Sequence, residues 1–213
     1  MPDILLPLFP LKVVLFPSTD LPLHIFEERY KEMIGECLQA KAEFGIVLVL
    51  DEGLASTGCT ALITDVIRKF EDGRMDILVR GHRRFDIVRI DQEKSYLRGE
   101  AEFFEDEDGE PPPGEAMRQQ SLELFQQVAE KLSAERAGEA SPAPEVPEKD
   151  DPQLSFQIAA RLPLDLAFRQ TLLQLRSERE RLDRVISYLK KLSVRITRVA
   201  EAHAKAGANG KAH

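Results

Sequence analysis

The chain has 213 residues, of which 43% are hydrophobic, enough to bury the core of one large domain or two small ones. Its formal net charge of −8 works against broad electrostatic attraction to nucleic acid or an anionic membrane, and neither is expected as a partner. The only cysteines are Cys37 and Cys59, in helix-like and strand-like surroundings, which points away from a disulfide framework or thiolate metal site and toward a reducing, cytoplasmic setting.

The opening MPDILLPLFPLK lacks the basic start and unbroken apolar stretch of a signal peptide. No apolar run approaches the roughly 20 residues that cross a bilayer. Ile4 to Leu8 and Val13 to Phe16 read as extended, and prolines at positions 2, 7, 10, 17 and 22 should confine such segments to edges and turns. Pro17, Leu21, Pro22, Leu23 and Phe26 surround a connection unusually apolar for a turn, so Pro17, Leu21, Pro22 and Leu23 form the candidate protein-binding surface.

From Ile25 to about Lys41, Phe26, Tyr30, Met33 and Cys37 recur at helical spacing beside Ile34 and Leu38, predicting a helix with one apolar face that includes Phe26 and Tyr30. Phe44 to Leu50 is a continuous apolar run too short for an ordinary helix, hence a strand buried on both faces. Asp72-Gly73 suits a two-residue type I′ turn. That turn would set Glu71 against Arg74, Phe70 against Met75, Lys69 against Asp76, Ile67 against Leu78 and Val66 against Val79. Phe85 to Ile90 and Leu97 to Phe104 supply two further strands, the first with a bulge.

The acidic, proline-rich Glu105 to Gly114 separates a β-rich part, residues 1–110, from a helical part, residues 111–204. Glu115 to Leu132 reads as a helix. Residues 137–152 have the composition of a mobile loop. Leu154 to Leu162 and Leu164 to Leu175 follow as helices, the latter capped by Asp165, and Ser177 with Glu180 forms a capping box for a long last helix. On it, Leu182, Val185, Leu189, Leu192 and Ile196 make a seam suited to pairing, the candidate self-association surface. Residues 205–213 should be a disordered tail.

Leu6 to Ile34, LPLFPLKVVLFPSTDLPLHIFEERYKEMI, resembles the start of the Lon protease amino-terminal, substrate-binding domain family. The likeness lies in the Pro-Leu-Phe-Pro-Leu strand, the Phe-Pro turn, and Leu-His-Ile-Phe-Glu followed by Arg-Tyr. It continues through FGIVLV from Phe44 and DGRMDILVRGHRRF from Asp72 to the helical pattern around Arg181-Leu182. The resemblance implies an α+β fold, a PUA-like β pseudo-barrel with one packed helix followed by a C-terminal helical bundle. It also implies a noncatalytic module that engages polypeptide, without the family's ATPase and protease parts.

The residues themselves agree. No G-x-x-x-x-G-K-[ST] is present to cradle nucleotide phosphates, and Gly207 to Lys211 lacks both its spacing and a preceding strand. The expected partner is unfolded or extended polypeptide, or a protease or chaperone acting in trans, with the chain a monomer or homodimer and no cofactor. His24, His82, His203 and His213 show no metal-ligand spacing. His24 reads as satisfying a turn or helix end, and Glu27 and Arg29 as a pair at a helix start. Glu105, Asp106, Glu107, Asp108 and Glu110 fail the EF-hand pattern. Arg80, His82, Arg83 and Arg84 form a local basic patch, relevant because PUA-like folds include RNA-binding modules, but no aromatics interleave it and acids lie nearby. An alternative reading is a structural protein that self-associates through the last helix.

Overall fold

The computed structural model describes residues 5–107, 109, 111–135 and 144–209, with side chains at all of these except 135 and 200–209. In chain order the elements are β1 (Leu6–Leu11), β2 (Asp20–Ile25), α1 (Glu28–Ala40), β3 (Phe44–Leu50), β4 (Gly53–Lys69), β5 (Met75–Asp91), β6 (Arg98–Phe104), α2 (Glu115–Glu135), α3 (Leu154–Arg161), α4 (Leu166–Gln174) and α5 (Glu178–Asn209). They form two units: residues 1–107 with 164–176, and residues 108–163 with 177–213. No helix among the described residues is long and apolar enough to cross a membrane.

In the first unit β1 pairs with β3, β3 with β4, β4 with β5, β5 with β6, and β6 returns to β1, so five strands close into the expected pseudo-barrel while β2 adds to β5 from outside. The β1–β3 pairing is parallel, and α1 lies in the crossover that such a pairing requires. Tyr30, Met33, Ile34 and Cys37 are the buried face of that helix, and Tyr30 packs its ring 4.2 Å from Phe9 of β1. Burial raises both thiols, Cys37 to about 11 and Cys59 to about 12, so neither is poised for chemistry.

Phe44 to Leu50 is a strand buried along most of its length, as its composition dictates. β1 departs from expectation, for it is paired on both sides despite Pro7 and Pro10. The prolines are tolerated because the two ladders scarcely overlap: β6 meets only Leu6 and Pro7, and β3 meets Leu8 to Leu11. Val14, Leu15 and Phe16 lie outside any strand but are buried.

The β4–β5 hairpin turns at Asp72-Gly73, but its register differs from the sequence expectation by one residue next to the turn and by two at Val66, beyond the bulge between Val66 and Arg68. Lys69 faces Met75, Arg68 faces Asp76 and Val66 faces Ile77. The cause is the turn. Phe70 C=O accepts from Gly73 N–H and Phe70 N–H donates to Arg74 C=O, while of the two central residues only Gly73 has positive φ, at 83°. This is the three-residue type I turn with a glycine bulge rather than a type I′ turn. Further bulges between Cys59 and Ala61, Ile63 and Asp65, and Val66 and Arg68 bend the ribbon. Phe85 to Ile90, expected as a further strand, is the second half of β5, and its expected bulge lies between Ile87 and Arg89.

β5 changes partner across Gly81: Met75 to Arg80 pair with β2, and Arg84 to Asp91 pair with β6. At this corner Gly81 N–H donates to Thr19 C=O at 2.9 Å, and Gly81 C=O accepts from Ser18 N–H at 2.8 Å. A Cβ on Gly81 would sit 2.0 Å from the Phe16 carbonyl oxygen, so the 16–19 turn can dock only on a glycine.

In the second unit α2 and α3 pack on α5. Ser177 Oγ accepts from Glu180 N–H at 3.2 Å, as the expected capping box requires, and Glu180 Oε1 accepts from Arg184 Nη2 at 3.1 Å. Asp165 stands at the N-cap of α4 in the first unit without a side-chain capping hydrogen bond. Residues 137–143 of the expected mobile loop lie outside the described residues, but its later part is held: Arg118 Nη1 donates to the Lys149 and Asp151 carbonyls at 3.1 and 2.8 Å. α5 runs on to Asn209, into the stretch expected to be disordered.

The ends of α3 and α5 are joined by a buried ionic cluster. Glu178 Oε2 accepts from Ser155 Oγ at 2.6 Å and from Arg181 Nη2 at 2.9 Å, and the fully buried Arg181 lies 4.4 Å over the Phe156 ring. Burial raises the Glu178 carboxyl, opposed by the Arg181 charge. Two stability outcomes follow. Gly81→Ala should lower the free energy of urea unfolding by about 2 kcal/mol or more, because backbone must move. Glu178→Ala should cost about 3–5 kcal/mol by stripping the buried guanidinium of its countercharge, and a loss below about 1 kcal/mol would show that the cluster contributes little.

Candidate functional site

Two surfaces of the first unit combine exposed apolar side chains with strand backbone. The first is β2, which pairs only with β5 among the described residues and leaves its other edge open. Alternation divides its side chains. Leu21, Leu23 and Ile25 face the side of the buried Val79, Ile77 and Met75; Asp20, Pro22 and His24 lie on the opposite face beside Arg80, Leu78 and Asp76. Leu21 and Leu23 are half-buried and Pro22 is exposed, but Pro17 is buried and does not contribute to the surface. The segment expected to be a turn is therefore mostly an edge strand. Pro22 removes one N–H from it, which blunts indiscriminate pairing.

Phe26, expected in the core on helical spacing, is 59% exposed because α1 starts only at Glu28. Its ring stacks 5.9 Å from His24, and His24 meets Phe70 edge-on at 6.2 Å. Arg68 and Arg74 lie 4.4 and 5.0 Å from the Phe70 ring. His24 Nδ1 bonds Asp76 Oδ1 across the strands at 2.6 Å and does not serve a helix end. The outcome is an aromatic and guanidinium row continuous with the β2 edge. Phe70, Arg68 and Arg74 were not singled out from sequence, although an aromatic flanked by two arginines at a turn was a usable signal.

The second surface is a groove of about 500 Å³ lined by the apolar Leu5, Leu6, Pro7, Ala42, Leu62, Ala101 and Phe103 together with Lys41, Glu43, His82 and Arg83. Glu43 bonds His82 Nδ1 at 3.1 Å and pairs with Arg83, whose guanidinium lies 3.8 Å over the Phe103 ring.

The basic patch is dismantled by its surroundings. Arg80 reaches Asp20 at 3.3 Å, and His82 and Arg83 share Glu43. Arg84 is 4% exposed: it bonds Asp106 and donates to the carbonyls of Leu173 and Leu175 at the end of α4, which anchors that helix on the barrel. Glu27 and Arg29 pair with each other at 2.7 Å.

The helix seam is spent inside its own unit. Leu182, Val185 and Leu189 are fully buried, Leu192 and Ile196 are 7% exposed, and α2 and α3 provide the packing. No cluster of three potential metal-ligating side chains occurs among the described residues. Arg84→Ala should lower unfolding free energy by about 3–5 kcal/mol in urea titrations, whereas Arg80→Ala, at an exposed pair, should change it by less than about 1 kcal/mol.

A family model for the ATP-dependent protease La (LON) substrate-binding domain matches residues 5–191. Among curated relatives, a Lon protease of Roseiflexus castenholzii is 28% identical over 89% of this chain and 25% of its own length. Lon protease 2 of Herpetosiphon aurantiacus is 31% identical over 84% of this chain and 23% of its own length. The chain thus spans about a quarter of those relatives. Among solved structures, the Lon N-terminal domain protein from Xanthomonas campestris superposes with a TM-score of 0.66 at 26% identity, covering 86% of this chain and 98% of that one. The N-terminal domain of Mycobacterium avium complex Lon protease shares the fold, with a TM-score of 0.59 at 19% identity over 87% of this chain and 98% of that one.

Proposed function

The chain belongs to the ATP-dependent protease La (LON) substrate-binding domain family, and from that premise we propose that it is a noncatalytic module holding extended or unfolded polypeptide through the β2 edge. The carrying observation is that β2 offers an unpaired backbone edge flanked by half-buried Leu21 and Leu23 and by exposed Pro22 and Phe26. An incoming segment would bond the strand backbone while its apolar side chains desolvate these residues and the Phe70 row. Neutralisation of Arg80, Arg83 and Arg84 by Asp20, Glu43 and Asp106 supports polypeptide over RNA.

The module works as an adaptor, delivering its polypeptide to an ATP-dependent protease or a chaperone in trans. Burial of the Leu182 to Ile196 seam within the second unit supports a monomer over a homodimer joined through α5. The test is fluorescence anisotropy with carboxymethylated lactalbumin as the unfolded probe. Leu21→Lys combined with Phe26→Ala should weaken binding about tenfold or more, equivalent to about 1.4 kcal/mol, with the melting temperature retained. Equal affinity in the folded double variant, or no binding by the parent protein, would sink the reading.

A further inference from the structure

We infer that the outer face of α5 between Lys190 and Arg198 is a docking surface for an acidic segment of a partner polypeptide. The inference stands on α5 alone and concerns a surface other than the β2 edge. Leu182, Val185, Leu189, Leu192 and Ile196 are buried where α2 and α3 pack on the helix. The side turned away from them carries Lys190, Lys191, Arg195 and Arg198, all exposed. The run from the first to the last covers about 12 Å of helix, close to the Debye length of about 10 Å at 0.1 M salt, so the charges act together.

None of these cations forms an ion pair among the described residues, whereas earlier on the helix Arg181 meets Glu178 and Arg184 meets Glu180. Past Asp183, α5 has no acidic residue before Glu201, whose side chain lies outside the described ones. Exposed Glu123 and Glu130 on the adjoining α2 do not pair with the cations either, and Glu123 accepts instead from Gln119. Helix physics does not call for the arrangement. Cations complement a helix dipole in its last turn, but α5 continues well past Arg198 to Asn209. Lys191 with Arg195 and Arg195 with Arg198 are like charges at i,i+4 and i,i+3, which weakens a helix. Among them Val194 is 51% exposed, a β-branched residue that neither burial nor helix propensity explains.

The combination selects the partner. Cations set around an aliphatic side chain complement carboxylates set around another, which an acidic polypeptide segment supplies. Nucleic acid would bring phosphates but nothing apolar for Val194, and Tyr188 is half-buried, so no exposed aromatic stands on this face for a base to stack on. An anionic bilayer would need the apolar side of the helix, where α2 and α3 pack.

The test uses the full chain and a labelled glutamate-rich peptide with one central leucine, followed by fluorescence anisotropy. Raising NaCl from about 0.05 to about 0.5 M should weaken binding about tenfold or more through screening. Lys191→Glu should weaken it about tenfold while holding or raising the melting temperature, because an opposite-charge i,i+4 contact with Arg195 replaces a like-charge one. Arg195→Glu serves as the second variant if that one fails to fold. Val194→Ala should weaken binding about threefold with the charge unchanged. Arg68→Glu, on the β2 surface, should leave it unaltered. Lys191→Glu should keep its affinity for carboxymethylated lactalbumin, so failure of the acidic peptide alone to bind overturns the α5 surface and leaves the β2 reading standing. Tighter binding of a thymidine oligonucleotide or of phosphatidylserine vesicles than of the peptide overturns the inference, as does peptide binding lost in Arg68→Glu but kept in Lys191→Glu.

Discussion

The Phe85 ring occupies space that glycine alone leaves open, and the architecture of the first unit depends on it. A Cβ on Gly45 would lie 2.5 Å from the tip of that ring and one on Gly58 2.6 Å away, so β3 and β4 approach β5 only because both positions lack side chains. Leu6, Leu8 and Val47 complete the buried cluster, and Gly99 makes room for Leu8. A closed ring of five strands has little interior, and these side chains fill it. Among the described residues, β2 at the margin of the barrel keeps one backbone edge without a strand partner.

The second unit is stabilised differently. Its apolar seam on α5 is buried against α2 and α3, while the Ser155, Glu178 and Arg181 cluster ties the start of α3 to the start of α5. A buried ion pair contributes less net stability than an apolar replacement can, but it fixes relative position because removing either partner strands a charge. Lys131 adds a softer tie, donating to Ser193 Oγ and Thr197 Oγ1, each at 2.8 Å. The face that composition offered for self-association is thus consumed in forming the unit.

Charge is arranged by local pairing. The chain is acidic overall, yet the arginines clustered in sequence at 80, 83 and 84 each meet a carboxylate from a different element. Arg84 goes furthest, receding from the surface to hold the last carbonyls of α4 against the barrel. What reads as a cationic stripe along one strand is three separate structural ties, which leaves apolar and aromatic groups to distinguish the exposed edges.

Local pattern was enough to reveal the buried strand at Phe44, the turn at Asp72-Gly73 and the cap at Ser177, because each depends on side-chain alternation or on bonds within a few residues. The register of the hairpin was not legible, since a three-residue turn and a two-residue turn share the same Asp-Gly and bulges further along shift the pairing. Nor could the sequence distinguish Phe26, left exposed by a helix that starts two residues later, from Tyr30, which finds Phe9 beneath it. Gly45, Gly58 and Gly81 carried no local signal, because their importance lies in the Phe85 ring and the Phe16 carbonyl that approach them from distant segments. Residue type set which segments could be strand, helix or turn. Only the folded chain decided which edges stayed open, because an edge is defined by the strand that does not arrive beside it.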